Sequence, residues 1–219
     1  MLEVIGVPLL LSLQVAVIAT SISFIFGVIF AWLFTLYQNK WTELLSLLMM
    51  LPLVLPPTVL GYYLMIFLGS NSWIGQTIEA AAGETVLFTW QAAVIAAAIA
   101  ALPLIIRPMQ AAFETISPNI LGAAQLDGAT KWQIFIRIMV PLSYKGMIAG
   151  VVLGFARAIG EFGATLMVAG NIPGKTQTLS IAIYDAVQAN RMSEAHLMVV
   201  VLSITTISFL LLTTKFLKR

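Results

Sequence analysis

The stretch from Val4 to Asn39, VIGVPLLLSLQVAVIATSISFIFGVIFAWLFTLYQN, carries no charged side chain. A helix needs about twenty predominantly apolar residues to cross the hydrocarbon core of a bilayer. Residues 9–36 therefore make one span with room for tilt. Working outward, charges fence off four more apolar runs at residues 44–68, 86–106, 146–169 and 195–214. The chain reads as an all-α polytopic membrane protein with five transmembrane helices, residues 1–219 forming a single transmembrane domain. Composition agrees: 60% of residues are hydrophobic and 9% charged, with mean hydropathy +1.01. Soluble domains carry about a quarter charged residues.

Other classes fall away on the same counts. With no cysteine there is no disulfide framework, thiolate metal site or thiol catalysis. The lone histidine, His196, cannot build a multi-histidine metal site, and at the end of the fifth span it reads as an interfacial side chain. No Ser-His-Asp set or carboxylate pair reads as catalytic. The N-terminus does not read as a cleaved signal, because Met1 to Val7 lacks Lys and Arg and the apolar run behind it is too long. Net charge is +2, and the basic residues report membrane orientation, not nucleic acid. With the N-terminus outside, the inner segments hold Lys40, Arg107, Lys131, Arg137, Lys145, Lys215, Lys218 and Arg219, while the outer ones hold Lys175 and Arg191. Short basic loops stay in the cytoplasm, so the expected topology is N-out, C-in, in the cell membrane. Glu3, Glu79, Glu84, Asp185 and Glu194 fall outside.

The inner stretch 107–145 reads as structured. Ser117-Pro118 suits a helix start, since proline at the first helical position lacks only a donor that would be unpaired anyway. Gly128 suits the left-handed residue that closes that helix. Thr130-Lys-Trp-Gln133 fits a capping box. The helix it opens carries Trp132, Phe135, Ile136 and Met139 among Lys131 and Arg137 and is expected at the lipid interface. Pro141 should break it before the fourth span. An exposed short helix of this kind can insert into a groove on a soluble partner.

Gly122-Ala-Ala-Gln-Leu-Asp-Gly128, followed by Ile138-Met-Val-Pro141, resembles the cytoplasmic signature of ABC importer permeases. Ala123, Ala124, Gly128, Ile138 and Pro141 match it; Gly122 stands where the family often has glutamate, and Val140 replaces leucine. Leu51-Pro-Leu-Val-Leu-Pro-Pro57 with Gly61-Tyr62 looks like the second core span of oxyanion permeases. Gly160-Glu-Phe-Gly-Ala-Thr165, followed by Gly170-Asn-Ile-Pro-Gly-Lys-Thr176, resembles the molybdate branch, with tungstate and sulfate permeases as near relatives. The resemblance implies a type I ABC importer permease fold, a homodimer, two cytoplasmic ATPase subunits that bind the ATP and Mg, and an extracytoplasmic oxyanion-binding protein. This chain would bind no cofactor itself. Gly122, Ala123, Ala124, Asp127, Gly128 and Ala129 would then form the coupling helix region that docks on the ATPase.

Within the spans, several features admit two readings. Pro52, Pro56 and Pro57 force a kink or opening, which either serves packing or lines a translocation path. Gly146, Gly150 and Gly154 recur at period four and permit close helix approach, within one subunit or between two. Arg157 and Glu161 lie on one helix face and can pair, either as a structural ion pair or as part of an anion path with Thr165. Gly170 to Thr176 looks like a phosphate loop, but that pattern needs glycine where Ala169 stands. The segment from Thr178 to Asn190 has the spacing of a short outer helix. A stand-alone secondary transporter or channel, or a structural scaffold, are the rival classes.

Overall fold

A computed structural model describes residues 2–217, and every regular element among them is helical. In chain order these are α1 (Leu2–Leu36), α2 (Lys40–Val54), α3 (Pro57–Leu68), α4 (Trp73–Ala82) and α5 (Trp90–Glu114). Then follow α6 (Pro118–Leu126), α7 (Lys131–Ile134), a π-helical segment (Phe135–Met139), α8 (Val140–Leu142) and α9 (Tyr144–Ile159). The chain closes with α10 (Gly163–Ala169), α11 (Leu179–Gln188) and α12 (Met192–Leu217). Lys218 and Arg219, counted in the charge balance, lie outside the described residues. Three helices, α1, α5 and α12, are long and apolar enough to cross a membrane alone. Two bent pairs bring the spans to as many as five.

The structure redraws the expected spans. Residues 44–68 break at the kink expected of their prolines: α2 and α3 meet at 117°. Leu55 N–H still closes on Leu51 O at 2.9 Å, but Pro56 and Pro57 have no N–H to continue the ladder. The third span begins at Trp90, not residue 86, because Thr89 caps it and Phe88 sits at φ +62; it then runs past Arg107 to Glu114. The fourth stops at Ile159 and restarts at Gly163. The fifth extends from Met192 to Leu217. One helix, α4, was not foreseen; Ser72 caps its start, accepting from Gly75 N–H at 2.8 Å, and Gly83 at φ +79 ends it.

The central element is α5, packed between α1 and α9. Its first half is an alanine strip (Ala92, Ala93, Ala96, Ala97, Ala100, Ala101) that meets Leu60 and Leu64 of α3, Phe155 of α9, and Ala164 and Val168 of α10. Its second half carries Ile105, Ile106, Met109 and Phe113 against Phe34, Met50, Phe135 and Met139. The glycine face of α9 is used inside the subunit. A Cβ on Gly146 would stand 2.3 Å from Ala112 Cβ, one on Gly150 2.9 Å from Ile105 O, and one on Gly154 2.4 Å from Ile105 Cδ1. Small residues let the two backbones touch. The outer segment is indeed helical: α11 buries Leu179 and Ala186 against Ala195 and Met198 of α12, and Ser12 Oγ accepts from Leu179 N–H at 2.7 Å. By contrast Leu10 and Ile25 of α1 and Ile204 and Leu211 of α12 are exposed. Contiguous apolar surface of this extent suits lipid or another protein, not water.

Candidate functional site

At the end of the bundle that bears Arg107, Lys131, Arg137 and Lys145, α6 stands out as a short, rigidly finished helix. Asp127 N–H donates to Ala123 O, Gly128 N–H to Gln125 O and Ala129 N–H to Ala124 O, each at 3.0 Å. The last two bonds form a Schellman closure, and they require the left-handed φ of +82 that Gly128 supplies. The next helix starts immediately: Thr130 N–H donates to Gln133 Oε1 at 2.8 Å, and Thr130 Oγ1 accepts from Gln133 N–H at 3.2 Å. That is the expected capping box. At the other end Ser117 occupies the cap position, yet its hydroxyl makes no cap bond and Pro118 alone sets the start.

The two faces of α6 differ. Leu121, Ala124 and Ala129 pack on the cluster around Phe113 and Phe135. Ile120, Ala123, Leu126, Asp127 and Gly128 face outward, Leu126 at 91% exposure. An apolar side chain so displayed, beside a small one and on a helix closed firmly at its C-terminal end, has the form that short helices inserting into protein grooves share. Gly122 has open space where a Cβ would go, so the larger residue common in related signatures would fit without disturbing the helix.

The helix after it differs from expectation on one face. Phe135 and Met139 do not lie at a lipid interface; they are buried. Phe135 packs on Trp32 at 4.6 Å between ring centroids, while Trp132 and Ile136 stay exposed. The π-helical segment and Pro141 then lead to a 73° bend at Ser143 into α9. One π turn re-aims the side chains that follow it, and such segments concentrate where a helix serves a function.

Deep in the bundle, the two interrupted helices come together. A Cβ on Gly61 would meet Met167 Cβ at 2.7 Å and Ala164 Cα at 2.9 Å; one on Gly163 would meet Pro57 Cβ at 2.9 Å. The start of α3 therefore lies directly against the start of α10. Pro56, Pro57, Glu161 and Thr165 all fall at or beside this junction, whereas Pro52 lies back within α2. Arg157 and Glu161 pair at 2.5 Å. Glu161 is 3% exposed, and its Oε1 also accepts from Ala164 N–H at 2.9 Å. It thus neutralises Arg157 and closes the start of α10 at once. Sequence reasoning missed this second task, as well as the roles of Gly61 and Gly163. An acidic residue just ahead of Phe162-Gly163-Ala164 was the available signal.

At the opposite end, the phosphate-loop look-alike is a compact turn without a preceding strand. Ile172 N–H donates to Thr176 Oγ1 at 3.1 Å, and Asn171 Nδ2 to Asp185 Oδ1 at 3.1 Å. Arg191 bridges Asp185 and Glu194, each at 2.7 Å. Lys175 is exposed at the tip. No cluster among the described residues has the make-up of a metal site.

Residues 23–218 match the family model described as binding-protein-dependent transport system inner membrane component. Among curated proteins, the chain is 48% identical to a putative molybdenum transport system permease protein of Bacillus subtilis, over 94% of this chain and 89% of that one. It is 39% identical to the molybdenum transport system permease protein ModB of Escherichia coli, over 92% and 89%. The sulfate transport system permease protein CysT of Escherichia coli matches at 35% over 79% of this chain and 62% of its own length. Among solved structures, an inward-facing form of the MetNI methionine ABC transporter superposes with TM-score 0.77 at 16% identity, covering 100% of this chain and 96% of that one. A bacterial alginate ABC transporter in complex with its pentasaccharide-bound periplasmic protein gives 0.75 at 17% identity, covering 94% and 76%. These last two likenesses concern the fold.

Proposed function

The chain belongs to the family of binding-protein-dependent transport system inner membrane components, and from that premise we propose that it is the membrane-spanning subunit of an ATP-driven importer of molybdate. In this reading two copies line one path, two cytoplasmic ATPases bind below, and an extracytoplasmic oxyanion-binding protein delivers the ion from above. ATP and Mg belong to the ATPases. The observation that carries the proposal is α6, started by Pro118, closed at Gly128 and presenting Ala123 and Leu126 outward from the basic end of the bundle. The basic side chains there support an N-out, C-in orientation, with α6 in the cytoplasm.

The chain's own residues supply a route for the motion. The glycine contacts make α5 and α9 one stiff unit, so a push on α6 travels through α7 and the π-helical segment into that pair. The backbone is interrupted after Val54 and after Ile159, and those interruptions abut. Motion there costs the fewest helical hydrogen bonds, so the gate is assigned to Pro56, Pro57 and the Glu161–Thr165 turn. Because Glu161 cancels Arg157, the junction carries no net fixed charge that would hold a dianion when release is required. Nucleotide must favour one state over the other for the switch to work, and docking at α6 is where that preference enters.

Molybdate is favoured over sulfate by the higher identity and longer coverage of the molybdenum permeases. Tungstate, of like shape and charge, is the alternative cargo. The complete complex, reconstituted in vesicles, should take up labelled molybdate only with ATP and in preference to sulfate. Uptake that persists without the ATPase would replace this reading with a secondary transporter or channel.

A further inference from the structure

At the basic end of the bundle the last turn of α1, the first turns of α2 and the flank of α5 line an open cleft of about 600 Å³. Lys40, Glu43, Arg107 and Gln110 line it, with Phe34 and Leu47 as apolar wall. Arg107 differs from Arg157, which is closed on Glu161. The Arg107 Nε donates to Met50 Sδ at 3.2 Å, and its terminal nitrogens have no protein partner among the described residues. A thioether is a weak acceptor, so it aims the guanidinium without neutralising it. Gln110 has the opposite need. Its Nε2 donates to Glu114 Oε1 at 2.8 Å, which fixes the amide, and its Oε1 is buried with no donor. Lys131 adds positive charge behind the wall, its ammonium 5.1 Å from the centre of the Tyr37 ring.

We propose that this cleft is a phospholipid headgroup site, selective for a headgroup that joins a phosphate to a primary amine. The phosphate lies on the free Arg107 fork and Lys40; the ammonium lies between the Glu43 carboxylate and Gln110 Oε1. Guanidinium and phosphate match in a two-point geometry. A free tetrahedral dianion fits only half the cleft. It would satisfy Arg107, but it brings no donor for Gln110 and is repelled by Glu43. The depth also suits a lipid. The α1–α2 turn lies between Leu36 and Lys40, where the first span leaves the hydrocarbon. From there the exposed Leu44, Leu48 and Leu51 of α2 lead inward along the course of acyl chains. Basic pockets between spans on the cytoplasmic side are known to hold lipid headgroups through such charges.

The full-length chain, purified in detergent, would be mixed with phosphatidylethanolamine, phosphatidylglycerol or phosphatidylcholine, and retained lipid read by native mass spectrometry. Phosphatidylethanolamine should survive activation that strips the other two. Arg107→Gln should cut its retention roughly five-fold, the effect of one cation near a headgroup, and Arg107→Lys should lose less. Glu43→Gln should narrow the preference for ethanolamine over glycerol, and this comparison within one protein decides the matter if Arg107→Gln fails to fold. Equal retention of all three lipids, or retention indifferent to Arg107, would overturn the proposal. So would release of the lipid by inorganic phosphate or molybdate, which would mark a free-anion site.

Discussion

Replacing Gly146 with alanine should force α9 off α5, and the size of the effect follows from two distances. The new Cβ would stand 2.3 Å from Ala112 Cβ and 2.9 Å from Pro108 O. Both atoms are fixed to the α5 backbone, so no rotamer change relieves the clash. Carbon atoms pack at about 3.5–4.0 Å, so the helices must part locally by more than about 1 Å. Overpacking of this kind costs about 1–3 kcal/mol, while alanine returns at most about 1 kcal/mol of helix propensity. The net loss is on the order of 1–2 kcal/mol, a fall of roughly 2–8 °C in melting midpoint for a chain of this size. The readout is the temperature at which the detergent-solubilised protein loses its monodisperse peak. Gly122→Ala, with nothing within 4 Å of its new Cβ, isolates the propensity gain and should hold or raise the midpoint. Ala112→Gly combined with Gly146→Ala removes the shorter contact and should recover most of the loss. If Gly146→Ala melts at or above the parent, or the double variant recovers nothing, the close α5–α9 seam is refuted.

Three further outcomes follow from the same geometry. Glu161→Ala removes the partner of Arg157, whose side chain is 26% exposed, and the buried acceptor for Ala164 N–H, a loss of about 1–3 kcal/mol; Arg157→Met with Glu161→Gln should recover folded yield, and a double variant as poor as the single would mean the two groups do not compensate each other. Ala123→Phe should abolish co-purification of the ATPase with little change in melting midpoint, since Ala123 faces outward; an undiminished complex would remove α6 from the docking surface. The chain has no cysteine, so Leu126→Cys and Lys175→Cys give clean labelling targets: an impermeant maleimide added to intact cells should modify the second alone, and labelling of the first would invert the topology.

Much of the inner region was legible in the chain itself. The Gly128 closure, the Thr130–Gln133 box and the break after Pro141 depend on residues within five positions of one another, and each formed as its spacing requires. Charges fenced the apolar runs for the same local reason: a side chain's transfer energy between lipid and water belongs to that residue. Hydropathy marked residues 44–68 as one apolar run and its prolines called for a kink, but neither gave the size of the turn, which is 117°. Nor did hydropathy register α4, whose start is set by a single serine hydroxyl.

Other features were decided only when distant segments met. That Gly146, Gly150 and Gly154 face α5 within the subunit, that Gly61 and Gly163 bring α3 against α10, and that Glu161 both pairs with Arg157 and closes a helix start are facts of contact between separate spans. Periodicity says which side of a helix is small or apolar; it does not say what will lie there. Sequence alone thus determined that this chain enters a membrane and which short helix it holds out at the basic end. Tertiary structure decided where the interrupted spans meet, because close packing is a property of pairs of surfaces, and a single stretch of sequence contains only one of them.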